Sequence, residues 1–511
     1  MTKAITLTPG EMTLGDLRAM WAGPFTVTLD DACRAGIKAA RDLVDARVAA
    51  GSIDYGITTG FGLLANTHIP ANQVEELQEN LVLSHMAGTG VPIDDQTVRV
   101  IMVLKASSLG QGFSGIREEL VDALLALVNH DVLPIIPSKG SVGASGDLAP
   151  LAHMTSALLG VGNVRHKGKE ISAVEGLAIA GLKPFRLQAK EGLALLNGTQ
   201  VSTALALKGL FLIENVYAAA ITAGAMSVDA LKGTDAAFDA RIHQIRRQQG
   251  QQDVAKTLRD LLAGSEIRLS HTECDRVQDP YSLRCQPQVM GAALDVIRAA
   301  SGTLLHEASA VTDNPLIFTA EGDILSGGNF HAEPVAFAAD QLALAIAEVG
   351  NISERRSALM VDPNMSGLPA FLVAASGLNS GFMIAQVTAA AMVAENRQRA
   401  TPTVVDSVPT SANQEDHVSM ATYGARRLTD MAENCATIIA VELLCAAQGI
   451  DFHKGYQTSP TLKAYHDKIR DKVAHWDKDR VMATDMESVK TMILNGDFLK
   501  TCKDLLPSGK S

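Results

Sequence analysis

The chain has 511 residues, 47% of them apolar but only 4% aromatic, and a formal net charge of −12. An acidic chain (pI about 5.6) whose basic clusters, such as Arg246-Arg247, are short and isolated is poorly suited to nucleic acid, whose binding rests on phosphate neutralisation. No charged-then-apolar start with a cleavage site is present, so no secretory leader is expected, and six cysteines at 33, 274, 285, 435, 445 and 502 form no C-x-x-C pair and read as reduced thiols of a cytoplasmic protein.

In chain order, residues 4–8 and 25–29 read as short strands. Asp30 or Asp31 can cap a helix to about Ala50, with Ala32, Ile37, Ala40 and Leu43 on its inner side. Asp54–Gly62 carries three glycines and two threonines and is a loop. Gly60-Phe61-Gly62-Leu63-Leu64-Ala65 formally fits G-x-G-x-x-A, but no apolar strand precedes it, so a dinucleotide site is rejected. A helix from near Asn72 closes on Ser84-His85. Two helices fill 93–130, with Leu120, Leu124, Leu127 and Val128 in helical period, and Pro134 and Pro137 end that pattern.

Next comes Gly140-Ser141-Val142-Gly143-Ala144-Ser145-Gly146-Asp147, before a helix from about Leu148 to Leu159. The plain reading is a turn in which Ser145 or Asp147 caps that helix. The other reading is chemical. If the Gly146 nitrogen reaches the Ala144 carbonyl carbon, a five-membered ring closes with loss of water. A second loss removes the Ser145 hydroxyl and leaves an exocyclic methylene, an electrophile that no side chain supplies. Glycines permit such close backbone folding. The serine-hydrolase elbow G-x-S-x-G is not met, because Asp147 stands where its second glycine belongs.

Hairpins are expected around Gly168 and Gly322. Asn197, in Leu196-Asn197-Gly198, is one amide in an apolar run and needs hydrogen-bond partners if buried. Thr199 to Leu231 is nearly continuously apolar and reads as a buried helix. Gln278, Tyr281 and Arg284 are three apart, which puts them on one face of a helical turn, with Pro280 favouring a helix start there. A planar guanidinium suits a carboxylate. Gly327-Gly328-Asn329-Phe330 is a glycine-hinged loop. His331-Ala332-Glu333 spells the H-x-E of zinc deaminases, but no P-C-x-x-C follows, so no metal is expected. Pro363 to Ala394 holds no charged residue, long enough for a membrane span; Pro369, Ser376, Asn379, Ser380 and Gln386 favour instead a helix buried on all sides, within or between subunits. Asn413-Gln414-Glu415-Asp416-His417 reads as a solvated helix start, and the last ninety residues as polar helices.

Gly140–Pro150, the Leu-Asn-Gly at 196–198, the 275–285 segment and Asn413–Met420 together resemble the motifs of the aromatic amino-acid ammonia-lyases, over about Ile53 to Met420. The resemblance implies a mainly α fold, a long central helical bundle of the ammonia-lyase/aspartase-like type with a few short strands and hairpins. Residues 1–202 would carry a mobile tyrosine loop and the cofactor-forming loop; 203–511 would form the central bundle and C-terminal helices. Ala144-Ser145-Gly146 would become a 4-methylideneimidazol-5-one (MIO) group, formed autocatalytically, with no metal or dissociable cofactor. Tyr55 is the implied general base. Asn197 and Arg284 would hold the substrate carboxylate, Tyr281 and Gln278 would support the cofactor and the amine, Phe330 would pack near the substrate ring, and Gln414 belongs to the last site strip.

Ser84-His85 and Glu415 match the histidine-acting branch of the family. A carboxylate suits an imidazole, whose N–H it accepts and whose positive charge it stabilises. Met86 stands where a smaller residue is expected. The implied reaction is L-histidine to trans-urocanate and ammonia, in a cytoplasmic homotetramer with active sites shared between subunits and no nucleic-acid or membrane partner. A tyrosine or phenylalanine ammonia-lyase, or an aminomutase with the same cofactor, is the near alternative; a serine hydrolase using Ser145 is the distant one.

Overall fold

The computed structural model describes residues 3–271 and 277–509; Cys274, Asp275 and Arg276 lie outside the described residues. Strands Lys3–Leu7 and Phe25–Leu29 form where alternation predicts them, but they pair in parallel, Lys3 with Phe25 through Leu7 with Leu29. Parallel pairing needs a crossover, and a short helix that the sequence reading missed, Leu14–Ala22, supplies it. The next helix, Arg34–Ala49, begins after a turn capped by Asp30 and buries Ile37, Ala40 and Val44, while Ala32 is exposed. Hairpins at Gly168 (Asn163–His166 with Lys169–Ser172) and Gly322 (Leu316–Phe318 with Asp323–Leu325) are as expected.

The site rests on helices labelled here α1 (Asp95–Gly110), α2 (Leu148–Ser156), α3 (Glu191–Leu196), α4 (Gln200–Ala230), α5 (Tyr281–Arg284), α6 (Gln286–Ala308), α7 (Glu333–Val361), α8 (Met383–Arg399) and α9 (Ala421–Asp451). In α4 every residue but Lys208 is buried. Its small residues let neighbours come close: a Cβ on Gly209 would lie 2.6 Å from Leu428 of α9. The long helices α4, α7 and α9 run side by side in the same direction. Their starts meet the 140–147 loop, and further along Glu442 of α9 accepts from Arg356 (2.9 Å) and Ser353 (2.6 Å) of α7 and from Ser227 (2.7 Å) of α4. The α6 helix returns along α4, with Gln286 on Gly224 and the Tyr217 hydroxyl on the Met290 carbonyl at 2.8 Å. By length and composition α4, α7 and α9 could each cross a membrane, yet most of each is buried against protein, so they read as the core of the bundle.

Two expectations are corrected. Pro363 to Ala394 is not one buried helix. It breaks into Pro363–Ser366, a 3-10 turn at Ala370–Leu372, an irregular loop and α8, because Pro369, Gly377 and Gly381 interrupt it. Leu378, Ile384 and Val387 are more than half exposed. The last ninety residues are not uniformly polar either: α9 is buried along most of its length, and charged residues on its outer stripe masked that in the sequence. Cys33, Cys285, Cys435, Cys445 and Cys502 are free thiols.

Candidate active site

The loop 140–147 lies where four helices begin. The Ala332 amide, just before α7, donates to the Gly143 carbonyl (3.1 Å), and the Met420 amide, just before α9, donates to Val142 (2.8 Å). The Ser202 amide in the first turn of α4 donates to Asp147 (2.7 Å), and α2 starts directly after Asp147. Helix N-termini carry partial positive charge, so this end of the bundle favours a negative charge on the loop.

Asp147 is fully buried and does not cap α2, contrary to the plain turn reading. It points inward: Oδ2 accepts from Ser202 N and Oγ, and Oδ1 from Ser141 Oγ (2.9 Å) and Thr422 Oγ1 (2.7 Å). Burial pushes its carboxyl up from the usual range against these bonds. Gly146 has φ +68°, and a Cβ there would lie 2.2 Å from the Gly198 carbonyl oxygen, so no other residue fits.

Asn197 follows α3. Its Nδ2 donates to the Ser145 carbonyl at 2.8 Å, and its Oδ1 is buried and, among the described residues, without a partner. The Gly198 carbonyl accepts from the Asp147 amide at 2.7 Å. Glu415 reaches the same serine from 270 residues away: Ser145 Oγ donates to its Oε1. Its Oε2 accepts from Thr410 Oγ1 at 2.7 Å, and Thr410 and Glu415 also exchange backbone bonds (2.8 and 3.3 Å). Between them Ser411, Ala412 and Asn413 are all left-handed, with φ of +51°, +53° and +67°. Such a conformation costs about 1–2 kcal/mol per residue, so the turn that presents Glu415 is strained. Gln414 is exposed on that turn, which is not a helix start; α9 begins only at Ala421.

The Tyr55 loop lies against two of these pieces. A Cβ on Gly56 would meet Leu193 of α3 at 2.5 Å, and one on Gly62 would lie 3.5 Å from Ser411 Oγ. The Tyr55 hydroxyl accepts from the Gly62 amide at 3.2 Å. His85 ends the helix Val74–His85. A carbonyl only accepts, so its 2.7 Å contact with Leu81 O fixes a proton on Nδ1 and, in the neutral ring, leaves Nε2 as the acceptor. Ser84 Oγ is 3.2 Å from His85 Nδ1 and donates to Leu81 O. Gly88, three residues on, abuts Gly140 at the start of the loop, and the Met86 methyl lies beside Gly162. Phe330 is half-buried two residues before Ala332, and His331 stacks on His417 with centroids 5.7 Å apart.

Gln278, Tyr281 and Arg284 do not join this group within one chain. Tyr281 and Arg284 share a face of α5, the guanidinium 4.6 Å from the ring centroid, but Gln278 precedes the helix and is exposed. Gln286 ties this segment to Gly224 of α4, whereas Asp147 is tied to Ser202; at 1.5 Å per residue those points are about 33 Å apart. Tyr281 is 71% exposed, and Arg284 Nε is buried without a partner among the described residues. Beside them lies an open groove of about 410 Å³ lined by Ser282, Arg355, Leu359, Asp362 and Met365.

The sequence reading missed Thr410 and Lys105. Thr410 carries no signal apart from the turn it begins. Lys105 did carry one, a single charge inside the otherwise apolar run from Val100 to Ala106.

Residues 12–471 match the model of the family described as aromatic amino acid lyase. The chain is 59% identical over 496 residues to the histidine ammonia-lyase of Burkholderia lata, covering 97% of this chain and 98% of that one. Its fold matches the crystal structure of histidine ammonia-lyase from Trypanosoma cruzi with a TM-score of 0.91 at 41% identity, over 98% and 96% of the two chains. It also matches tyrosine aminomutase from Streptomyces globisporus with a TM-score of 0.92 at 33% identity, over 99% of each.

Proposed function

The chain belongs to the aromatic amino acid lyase family, and from that premise we propose that it eliminates ammonia from L-histidine to give trans-urocanate. The observation that carries the substrate assignment is Glu415, a carboxylate held by Thr410 on one oxygen and set against Ser145 on the other. The residues at 140–147 fit an MIO group. Gly146 leaves no room for a side chain, and the Ser145 carbonyl, which would become the ring's own oxygen, already accepts from Asn197. Once formed, the group supplies an electrophile that makes the amine a better leaving group.

The chain's own residues do the rest. Asn197, expected to hold the substrate carboxylate with Arg284, has its Nδ2 on the Ser145 carbonyl instead, and with the helix N-termini it favours negative charge on that oxygen. Glu415 accepts the imidazole N–H and stabilises positive charge on the ring, and His85 Nε2 accepts on the imidazole's far side, with Ser84 beside it. Tyr55 takes the β-proton, Phe330 packs against the ring, and Gln414 flanks Glu415. Tyr281, Gln278 and Arg284 come from another subunit, with Arg284 gripping the carboxylate through its planar fork. A homotetramer would bring the two half-sites together and cover Leu378, Ile384 and Val387. In the same reading 1–202 and 203–511 are the two domains, and the enzyme is cytoplasmic.

The test is purified protein with L-histidine, L-tyrosine and L-phenylalanine in turn, followed by ultraviolet absorbance, with Ser145→Ala alongside. Urocanate from histidine alone, abolished in the variant, is the expected result. Cinnamate or coumarate keeps the cofactor and overturns the roles given to His85 and Glu415.

A further inference from the structure

Lys105 lies in α1, where every residue from Val100 to Gly110 is buried, and it has no exposed surface itself. Among the described residues it has no direct carboxylate partner in the way Lys190 does. Lys190 is paired with Asp313 at 2.7 Å, and Asp313 also accepts from Ser114 at 2.8 Å. Lys105 instead donates through Nζ to the backbone carbonyl of Asn197 at 2.6 Å, with Gln200 Oε1 at 3.5 Å. Burial draws its ammonium down to about 7, with Asp313 and Asp147 opposing and Lys190 adding to that shift. A lysine kept in such a place needs a reason beyond packing.

The reason lies in what the Asn197 turn holds. The α3 helix is pinned at its start by Lys190 and by Glu191, which accepts from Arg117 at 2.7 Å. Lys105 pins its other end. From there two bonds grip the ring-forming segment: Asn197 Nδ2 on the Ser145 carbonyl (2.8 Å), and the Asp147 amide on the Gly198 carbonyl (2.7 Å). They fall on either side of Gly146, whose nitrogen has to approach the Ala144 carbonyl carbon.

We propose that Lys105 is a positioning residue for ring closure at Ala144-Ser145-Gly146, acting through the Asn197 carbonyl to fix the turn that holds the segment on both sides of Gly146. The inference rests on the MIO reading above. In the closure a bond forms from Gly146 N to Ala144 C, and the Ala144 oxygen leaves as water with the hydrogens of the Gly146 and Ser145 nitrogens. A second water takes the Ser145 hydroxyl and its Cα hydrogen, leaving the Cα=Cβ double bond. Lys105 touches none of these atoms.

The experiment is mass spectrometry of the peptide spanning 140–150 from full-length wild type, Lys105→Met, Lys105→Arg and Lys190→Met, with subunit assembly and kinetics measured on the same samples. Wild type lacks the mass of two waters. In an assembled Lys105→Met, most peptide keeps those waters, and kcat falls about 100-fold with KM little changed, the scale of a misplaced reacting group. Lys105→Arg keeps the charge but shifts the donor, and partial ring formation is expected. That variant decides the case if Lys105→Met fails to assemble. Full ring formation with unchanged kcat in any assembled Lys105 variant overturns the proposal, as does equal ring loss in Lys190→Met at matched stability. Wild type that keeps both waters overturns the cofactor reading itself, and the role of Lys105 with it.

Discussion

The two ends of α4 differ in how finished they are. At its start, Asp147, Asn197, Ser145 and Glu415 are joined by hydrogen bonds within one chain, with Asn197 Oδ1 left without a partner among the described residues. About 33 Å along, Tyr281 stands exposed, Arg284 Nε has no partner among the described residues, and a groove lies open beside them. With the roles proposed above, the Arg284 grip and the 140–147 loop lie at opposite ends of one rigid helix and do not reach one substrate molecule within a single chain. They serve one together only if a second copy brings its far end to the first copy's near end.

The sharpest way to break this comparison is to disable one end in each of two chains. Ser145→Ala and Arg284→Ala each lose activity by on the order of 10³-fold or more alone. Co-expressed, they regain urocanate production, because some sites pair an intact loop with an intact arginine; a mixture as inactive as its parents returns both halves to one chain. Next in size is the joint between the ends. Glu442→Gln leaves Arg356 buried without its countercharge and lowers stability by about 3–5 kcal/mol, seen as a lower melting temperature with kcat per assembled enzyme unchanged.

Smaller effects distinguish groups within the finished end. Glu415→Gln reduces kcat for histidine by about 10²-fold, the order of a lost electrostatic contact in a site. Thr410→Val keeps the Glu415 side chain but removes the hydroxyl that holds its Oε2, and raises KM about tenfold. The smallest effect belongs to the far end. Burial raises Asp229 from 3.8 to about 6, so it is protonated more readily in the folded chain, and its contribution to stability, full below about pH 4, is lost as pH rises through 6. Asp229→Asn flattens that part of the stability–pH curve; an unchanged curve assigns the slope elsewhere.

What could be read from sequence follows what each residue needs. Gly146 and Asn197 were legible because a tight backbone turn and a buried amide each leave a local signature. Glu415 beside Ser145 was accessible only through resemblance, since no periodicity links positions 270 apart. The inward turn of Asp147 was hidden because an acid before a helix looks the same whether it caps or points into the core. Tyr281 and Arg284 were correctly set on one helical face, but their distance from the loop depends on which way the bundle runs. The uncharged stretch after Pro363 misled for a related reason: a lack of charge does not make one helix, and Pro369, Gly377 and Gly381 break this one.

The close approach of Gly146 to Gly198 has a biological corollary. These residues lie 52 positions apart, on a loop and a turn that meet only once the bundle around them is assembled. On the MIO reading proposed above, a nascent or misfolded chain therefore carries an ordinary serine, and the reactive group arises only after the scaffold that shields it is complete. Maturation of this kind would need no separate enzyme, and it would spare the cell an exposed electrophile on unfinished protein.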